Sequence, residues 1–267
     1  PLALDWWLLF IHPLTAATSP GFVWTLVLAA IAGLFALPFI RSRVPLAVAQ
    51  VDPAHCNGCR RCADDCPYGA IAMVPHPNGR RGVQLARVDP DLCASCGICV
   101  GACPSSTPFR STQRLDTGID MPQWPIDALR RRLEAQLAAA REAPCVVVFG
   151  CDRGAHIDTL ASRDTLTFSL ACAGMLPPSF VEYALRGGAD GVVVATCRDG
   201  GCEFRLGERW TAQRLNGERE PHLRRAVPAD RWALVGADAG DEAAVRATLE
   251  RLRRLARNDT QQQEAVA

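Results

Sequence analysis

Eight of the thirteen cysteines fall in two runs of one spacing, Cys56-x2-Cys59-x2-Cys62-x3-Cys66-Pro67 and Cys93-x2-Cys96-x2-Cys99-x3-Cys103-Pro104. Thiolates are soft donors, and three of them in a tight loop can wrap one face of a cubane while a fourth closes the cage from a short helix. Gly58, Gly97 and Gly101 are expected to let the backbone pass close to sulfide with its N–H groups turned inward. The proline after each fourth cysteine ends the loop by fixing φ. Zinc usually takes two separated Cys-x2-Cys pairs, so a repeated four-Cys run reads as two 4Fe-4S clusters. His55 and His76 are then exposed loop residues, because eight thiolates complete both cubanes.

These runs resemble those of two-cluster bacterial ferredoxins, where the fourth Cys of each run ligates the other cluster. The resemblance implies an α+β ferredoxin-like domain over residues 50–110. It assigns Cys56, Cys59, Cys62 and Cys103 to one 4Fe-4S cluster, and Cys93, Cys96, Cys99 and Cys66 to the other. The insert 73–88, with Pro75, Pro77 and Asn78-Gly79, reads as a hairpin or loop joining the halves.

Residues 105–125, rich in Ser, Thr, Pro and Gly, read as a surface linker. A short amphipathic helix over 126–142 follows, with Ile126, Leu129, Leu133 and Leu137 on one face; the linker and helix together fill 111–143. Its Arg130-Arg131-Arg132 run reads as a solvated face, or more sharply as a contact with anionic headgroups.

Beyond Pro144 the pattern is α/β. Residues 145–150 (CVVVFG), 166–171, 191–196 (GVVVAT) and 232–236 read as buried strands, with helices over 179–186, 204–215 and 241–257 between and after them. Such alternation implies a parallel sheet with covered faces over 144–258, leaving 259–267 as a disordered tail. Cys151, Cys172 and Cys197 each come just after a predicted strand, and Cys202 shares the loop of Cys197. The carboxyl ends of parallel strands share one edge, so these four thiolates can converge, a set suited to a 2Fe-2S cluster.

This segment resembles the delta subunit of methyl-viologen-reducing hydrogenase, which passes electrons between hydrogenase and heterodisulfide reductase. The matching pieces are VVFGC ending at Cys151, Cys172-Ala173-Gly174, GGADGVVVATC ending at Cys197, and RDGGCEFRLG around Cys202. The family often has a second Cys shortly after the first, where this chain reads Cys151-Asp152-Arg153-Gly154. His156 or Cys145 is therefore an open substitute ligand.

Toward the N-terminus, residues 21–40 (GFVWTLVLAAIAGLFALPFI) are 20 apolar-dominated residues without Asp, Glu, Lys or Arg. As a helix they would measure about 30 Å, the thickness of a bilayer core. Arg41 and Arg43 follow, which marks the cytoplasmic side and places everything beyond it there. Asp5-Trp6-Trp7 with Pro13-Leu14 and the span, covering residues 1–43, resembles the segment of cytochrome bc-type b subunits in which Glu-Trp-Tyr precedes a late helix. The resemblance implies that Asp5 contributes to a quinol site. Paired haem-ligand histidines are absent, so any haem belongs to another chain; the alternative is an interfacial belt of Trp6 and Trp7.

Composition excludes other classes. With 29 basic against 28 acidic side chains, the chain lacks the excess that a nucleic-acid binder needs. Every basic residue is Arg, which reads as coding bias, so no single Arg is singled out. The cysteine pattern points to a reducing compartment, no cleavable signal is visible, and Pro1 suggests a piece of a longer chain. No G-x-G-x-x-G, Walker loop or Cys-Cys-Gly motif is present. The expected architecture is multi-domain: one transmembrane α-helix, a ferredoxin-like α+β domain and a C-terminal α/β domain with a parallel sheet. The expected function is electron transfer, with no substrate-converting centre of its own. It runs in a bacterial or archaeal cytoplasmic membrane between a cytoplasmic redox protein (flavoprotein, hydrogenase-like or heterodisulfide-reductase-like) and a cytochrome b-like subunit, and through it the quinone pool. The alternatives are an enzyme subunit whose C-terminal four-Cys site binds zinc or performs thiol-disulfide chemistry, and a redox-sensing interaction module.

Overall fold

The computed structural model describes residues 11–40, 47–78, 83–140 and 144–266, with side chains to 257. It forms two compact units, Pro1–Pro45 and Leu46–Ala267. In the first, α1 (Ile11–Ala17) leads to α2 (Pro20–Ala36). The Ser19 hydroxyl accepts from the Phe22 N–H at 3.3 Å, and Pro20 takes the first helical position, where a missing N–H costs nothing. A 3-10 turn over Leu37–Phe39 ends the helix at Pro38. Pro20–Phe39 is long and apolar enough to cross a membrane, with mean hydropathy 2.2, and Trp24, Leu28, Leu34 and Phe35 all lie exposed. Asp5, Trp6, Trp7, Arg41 and Arg43 lie outside the described residues.

The second unit begins with a small α+β half. Strand β1 (Gln50–Val51) is followed by α3 (Arg61–Asp64), a hairpin of β2 (Ile71–Pro75) and β3 (Gln84–Val88), α4 (Ile98–Ala102) and β4 (Ile119–Asp120). The expected insert is thus an antiparallel hairpin pairing Ile71 with Val88 and Pro75 with Gln84. The expected surface linker is partly interior: residues 109–110, 112–114 and 122–125 are exposed, but the rest of the segment is buried or half-buried. β4 pairs antiparallel with β1, and Leu115, Ile119 and Met121 are buried in the core. Two of its polar residues are spent internally: the Ser105 hydroxyl accepts from Gly118 N–H at 2.7 Å, and Thr117 donates to the Ile119 carbonyl.

Helix α5 (Ile126–Ala139) buries Ile126, Leu133 and Leu137 as its periodicity requires. Arg130 departs from the expected solvated face. It is 1% exposed, pairs with Asp127 at 2.9 Å and donates to the carbonyls of Ser111 and Gln113, tying down the preceding segment. Arg132 lies over the Phe168 ring, and both Arg131 and Arg132 are exposed, as the solvated-face reading expects.

The α/β half is a four-stranded parallel sheet of β5 (Val146–Cys151), β6 (Thr165–Leu170), β7 (Gly191–Thr196) and β8 (Trp232–Gly236), in the order β6-β5-β7-β8. Val147, Phe149, Val192 and Val194 face a core shared with α5 and α6 (Ser179–Arg186), while Val146, Val148 and Val193 face α8 (Glu242–Val266). Both faces are covered, so β5 and β7 are buried along their whole length. Helix α7 (Gly207–Leu215) starts three residues later than its pattern suggests, because Arg205 sits at φ +69, outside helical backbone. Helix α8 continues to Val266 where a disordered tail was expected.

Candidate metal centres

The two Cys runs fold alike. In each, the second residue after the first cysteine and the first residue after the second cysteine take left-handed backbone: Gly58 (φ +69) and Arg60 (+66) in one, Ser95 (+60) and Gly97 (+71) in the other. Alternating handedness turns successive N–H groups to one side, a concavity suited to anionic sulfide. Helices α3 and α4 then carry the third cysteines, Cys62 and Cys99. Contrary to expectation, the fourth cysteines leave after these helices, not from them; Cys103 is already extended.

That placement sends each fourth cysteine across. Cys56, Cys59, Cys62 and Cys103 line one small cavity, and Cys66, Cys93, Cys96 and Cys99 line another. Burial, then the neighbouring charges of Cys103, Cys59 and Cys56, push the Cys62 thiol up to about 12. Burial likewise pushes Cys96 up to about 11 and Cys99 well above its ordinary value, with Cys66 and Cys93 adding to both. Four clustered cysteines per cavity, with Cys62 buried in one and Cys96 and Cys99 in the other, are a donor set that a polycationic cluster would stabilise as thiolates, so the residues fit a cubane in each. Polar support is close by: Ala70 N–H donates to Cys66 Sγ at 3.3 Å, and Ser105 Oγ lies 3.0 Å from Cys103 Sγ. Cys59 is the exposed member of the set.

At the carboxyl edge of the sheet, Cys151 ends central β5, while Cys172 and Cys197 follow its neighbours β6 and β7. Cys202 completes a ring: Cys151 and Cys202 each contact both Cys172 and Cys197, with Cys151 and Cys197 sulfurs 3.6 Å apart. Hydrogen bonds from two neighbours lower Cys151 to about 3 and lower Cys202 as well, while donating those bonds raises Cys172 and Cys197. The four soft donors fit a thiophilic centre. Among the described residues no group of three or more His, Cys, Asp or Glu is gathered to hold a single metal ion.

The two open substitutes are not brought here. Cys145 precedes β5 at its amino end, about 20 Å from Cys151 at ~3.3 Å per residue, and its N–H bonds Asp190. His156 is exposed, its N–H donating to Glu242. Two neighbours of the ring were not singled out from sequence. A Cβ on Gly207 would lie 2.3 Å from Cys172 Sγ and 3.1 Å from Cys202 Sγ, so only glycine fits. Glu208 sits against Cys202, and burial followed by that contact raises its carboxyl.

The two halves of the unit meet at these sites. Cys96, Ile98, Cys172 and Trp210 pack as one buried cluster, with Tyr68 and Cys202 at its margin. Gly101 has a different role from the expected one: a Cβ there would lie 2.1 Å from Gly174 O and 2.7 Å from Arg214 Nη1, so it admits the α/β half and not sulfide. Arg214 bridges the halves by donating to Gly174 O at 2.9 Å and to Asp65; burial lowers its pKa against the pull of Asp65.

Residues 55–107 match the 4Fe-4S dicluster domain family, and residues 150–255 match the methyl-viologen-reducing hydrogenase delta subunit family. The chain is 38% identical over 164 residues to a subunit of ferredoxin:CoB-CoM heterodisulfide reductase from Methanosarcina mazei; the match covers 58% of this chain and 18% of that protein. The dicluster match supports two 4Fe-4S clusters. The chain thus joins a 4Fe-4S dicluster domain to a domain of the hydrogenase delta-subunit family.

Proposed function

We propose that this chain is a membrane-anchored electron conduit. Cys56, Cys59, Cys62 and Cys103 hold one 4Fe-4S cluster, and Cys66, Cys93, Cys96 and Cys99 hold the second. Cys151, Cys172, Cys197 and Cys202 hold a 2Fe-2S cluster. The observation that carries this reading is the packing of Cys96 against Cys172 through Ile98 and Trp210, which sets the second cavity beside the C-terminal ring. Iron–sulfur clusters exchange single electrons without bond making; the protein's task is to hold them close, dry and at matched potential. The buried Cys151, Cys172 and Cys197 exclude water from one end, while exposed Cys59 gives the other end an outlet.

The apolar helix anchors the chain, with Arg41 and Arg43 holding the iron–sulfur part on the cytoplasmic side. A cytoplasmic redox protein, such as a heterodisulfide-reductase-like partner, exchanges electrons with the conduit. A cytochrome b-like subunit, to which Asp5 contributes, links it to quinone. In anaerobically purified full chain, Cys202→Ser should remove only the C-terminal signal from electron paramagnetic resonance spectra and stop transfer from the soluble partner to quinone. Full transfer with an intact third signal would refute the ligand set. Recovery of the chain without detergent would refute the anchor.

The close Cys151 and Cys197 sulfurs favour one second reading, thiol-disulfide chemistry at the ring. It requires an iron-free ring and a thiol titre that falls by two on oxidation, both measurable on the same preparation.

A further inference from the structure

Between the second cavity and the C-terminal ring lies a buried ionic group that neither ligand set requires. Asp65, 3% exposed, precedes Cys66 and lines the second cavity. One of its oxygens accepts from Arg214 and the other from Arg219, both in the α/β half. Arg214, 1% exposed, also donates to the carbonyl of Gly174, two residues beyond Cys172, and Cys172 acts electrostatically on it. Arg219 lies 4.7 Å over Trp210, itself packed on Cys96 and Cys172. Two cations facing one carboxylate leave a net positive charge, with Arg214 and Asp65 buried and Arg219 partly exposed. Arg60, which lines the first cavity, is mostly exposed, and solvent screens it.

We propose that Arg214 is a positioning residue for electron transfer: its guanidinium fixes the separation of the second 4Fe-4S cluster and the C-terminal centre, and with Arg219 raises the second cluster's potential. The proposal rests on the ligand sets proposed above. The step it serves moves one electron between the two centres, one being oxidised as the other is reduced, with no bond formed and no proton required. Reduction adds one negative charge to the cluster, and a buried cation nearby stabilises that form more than a solvated one does.

The test is a potentiometric titration of the full chain in detergent, followed by electron paramagnetic resonance, on variants of opposite charge. Arg219→Gln removes a partly exposed cation and should lower the reduced fraction of the second cluster about tenfold at fixed potential, roughly 59 mV for one electron. Asp65→Asn should shift it by a similar factor the other way. Arg214→Lys keeps the charge and should leave the potential near the parent value, while changing the magnetic splitting between the two reduced centres.

A purely structural role would move both charge variants in one direction, through cluster loss. That result, or shifts under twofold in both with full iron content, overturns the proposal. Should Arg214→Lys fail to fold, Arg219→Gln and Asp65→Asn still decide. Iron analysis separates the two failures: a C-terminal centre without iron ends the relay reading and the positioning role with it, whereas unchanged potentials with all iron present sink the role of Arg214 alone.

Discussion

Gly101→Ala probes the seam between the two halves of the second unit. The new methyl carbon would lie 2.1 Å from Gly174 O, 2.7 Å from Arg214 Nη1 and 3.1 Å from Met175 C. Carbon and oxygen in contact sit at about 3.3 Å, so α4 and the 173–175 turn must part by roughly 1.2 Å. Neither partner is a free side-chain end: one is backbone, the other a buried guanidinium held by Asp65. Overpacking of this kind costs ~1–3 kcal/mol, and parting a buried ion pair adds about 3 kcal/mol. Alanine's better helix propensity returns about 1 kcal/mol. The net loss is about 3–5 kcal/mol, at least roughly 150-fold in the folding equilibrium. The assay is urea-driven loss of cluster absorbance in the full chain, whose half-life should fall by an order of magnitude or more. Gly236→Ala, whose Cβ would meet nothing nearer than 3.5 Å, is the control and should be close to neutral. A Gly101→Ala half-life within twofold of the parent would refute the packed seam.

Cys66→Ser should damage the cluster of Cys93, Cys96 and Cys99, and Cys103→Ser that of Cys56, Cys59 and Cys62, read from which cluster signal disappears; damage within a variant's own run would contradict the crossing. Cys145→Ser should leave iron content unchanged. Asp120 is raised to about 6 by burial, ahead of opposing bonds from the N–H groups of Met121 and Ile126. A raised folded-state value means its stabilising contribution is present below pH 3.8 and lost as pH climbs through 6, so Asp120→Asn should stabilise by about 1–2 kcal/mol at pH 8 and by nothing near pH 3.5. Cys62 and Cys96, raised to about 12 and 11, should make the iron-free chain lose urea resistance as pH rises above 9, a loss that cluster-loaded chain escapes.

What was readable in the sequence was local or strand-periodic. The Cys runs carry their own geometry within eleven residues each, and strand ends followed by Cys151, Cys172 and Cys197 located the ring because parallel strands share an edge. Composition misled for residues 105–125: Ser105 and Thr117 look like linker residues, yet their hydroxyls bond backbone in the interior. Arg130 was passed over in a run of three, although it lies four residues after Ile126 and three before Leu133, on the face that the helical period buries. Asp65 and Arg214 lie 149 positions apart, and no local pattern marks such a pair. Gly101 was rightly singled out but for the wrong neighbour, because the surface it admits belongs to the other half of the unit.

Whether one chain holds three iron–sulfur centres is decided by iron, sulfide and zinc analysis with Mössbauer spectroscopy on anaerobically purified, iron-57-enriched protein. Three centres require about ten irons per chain, eight in cubanes and two in a separate binuclear site. Eight irons or fewer, with stoichiometric zinc, would contradict three centres.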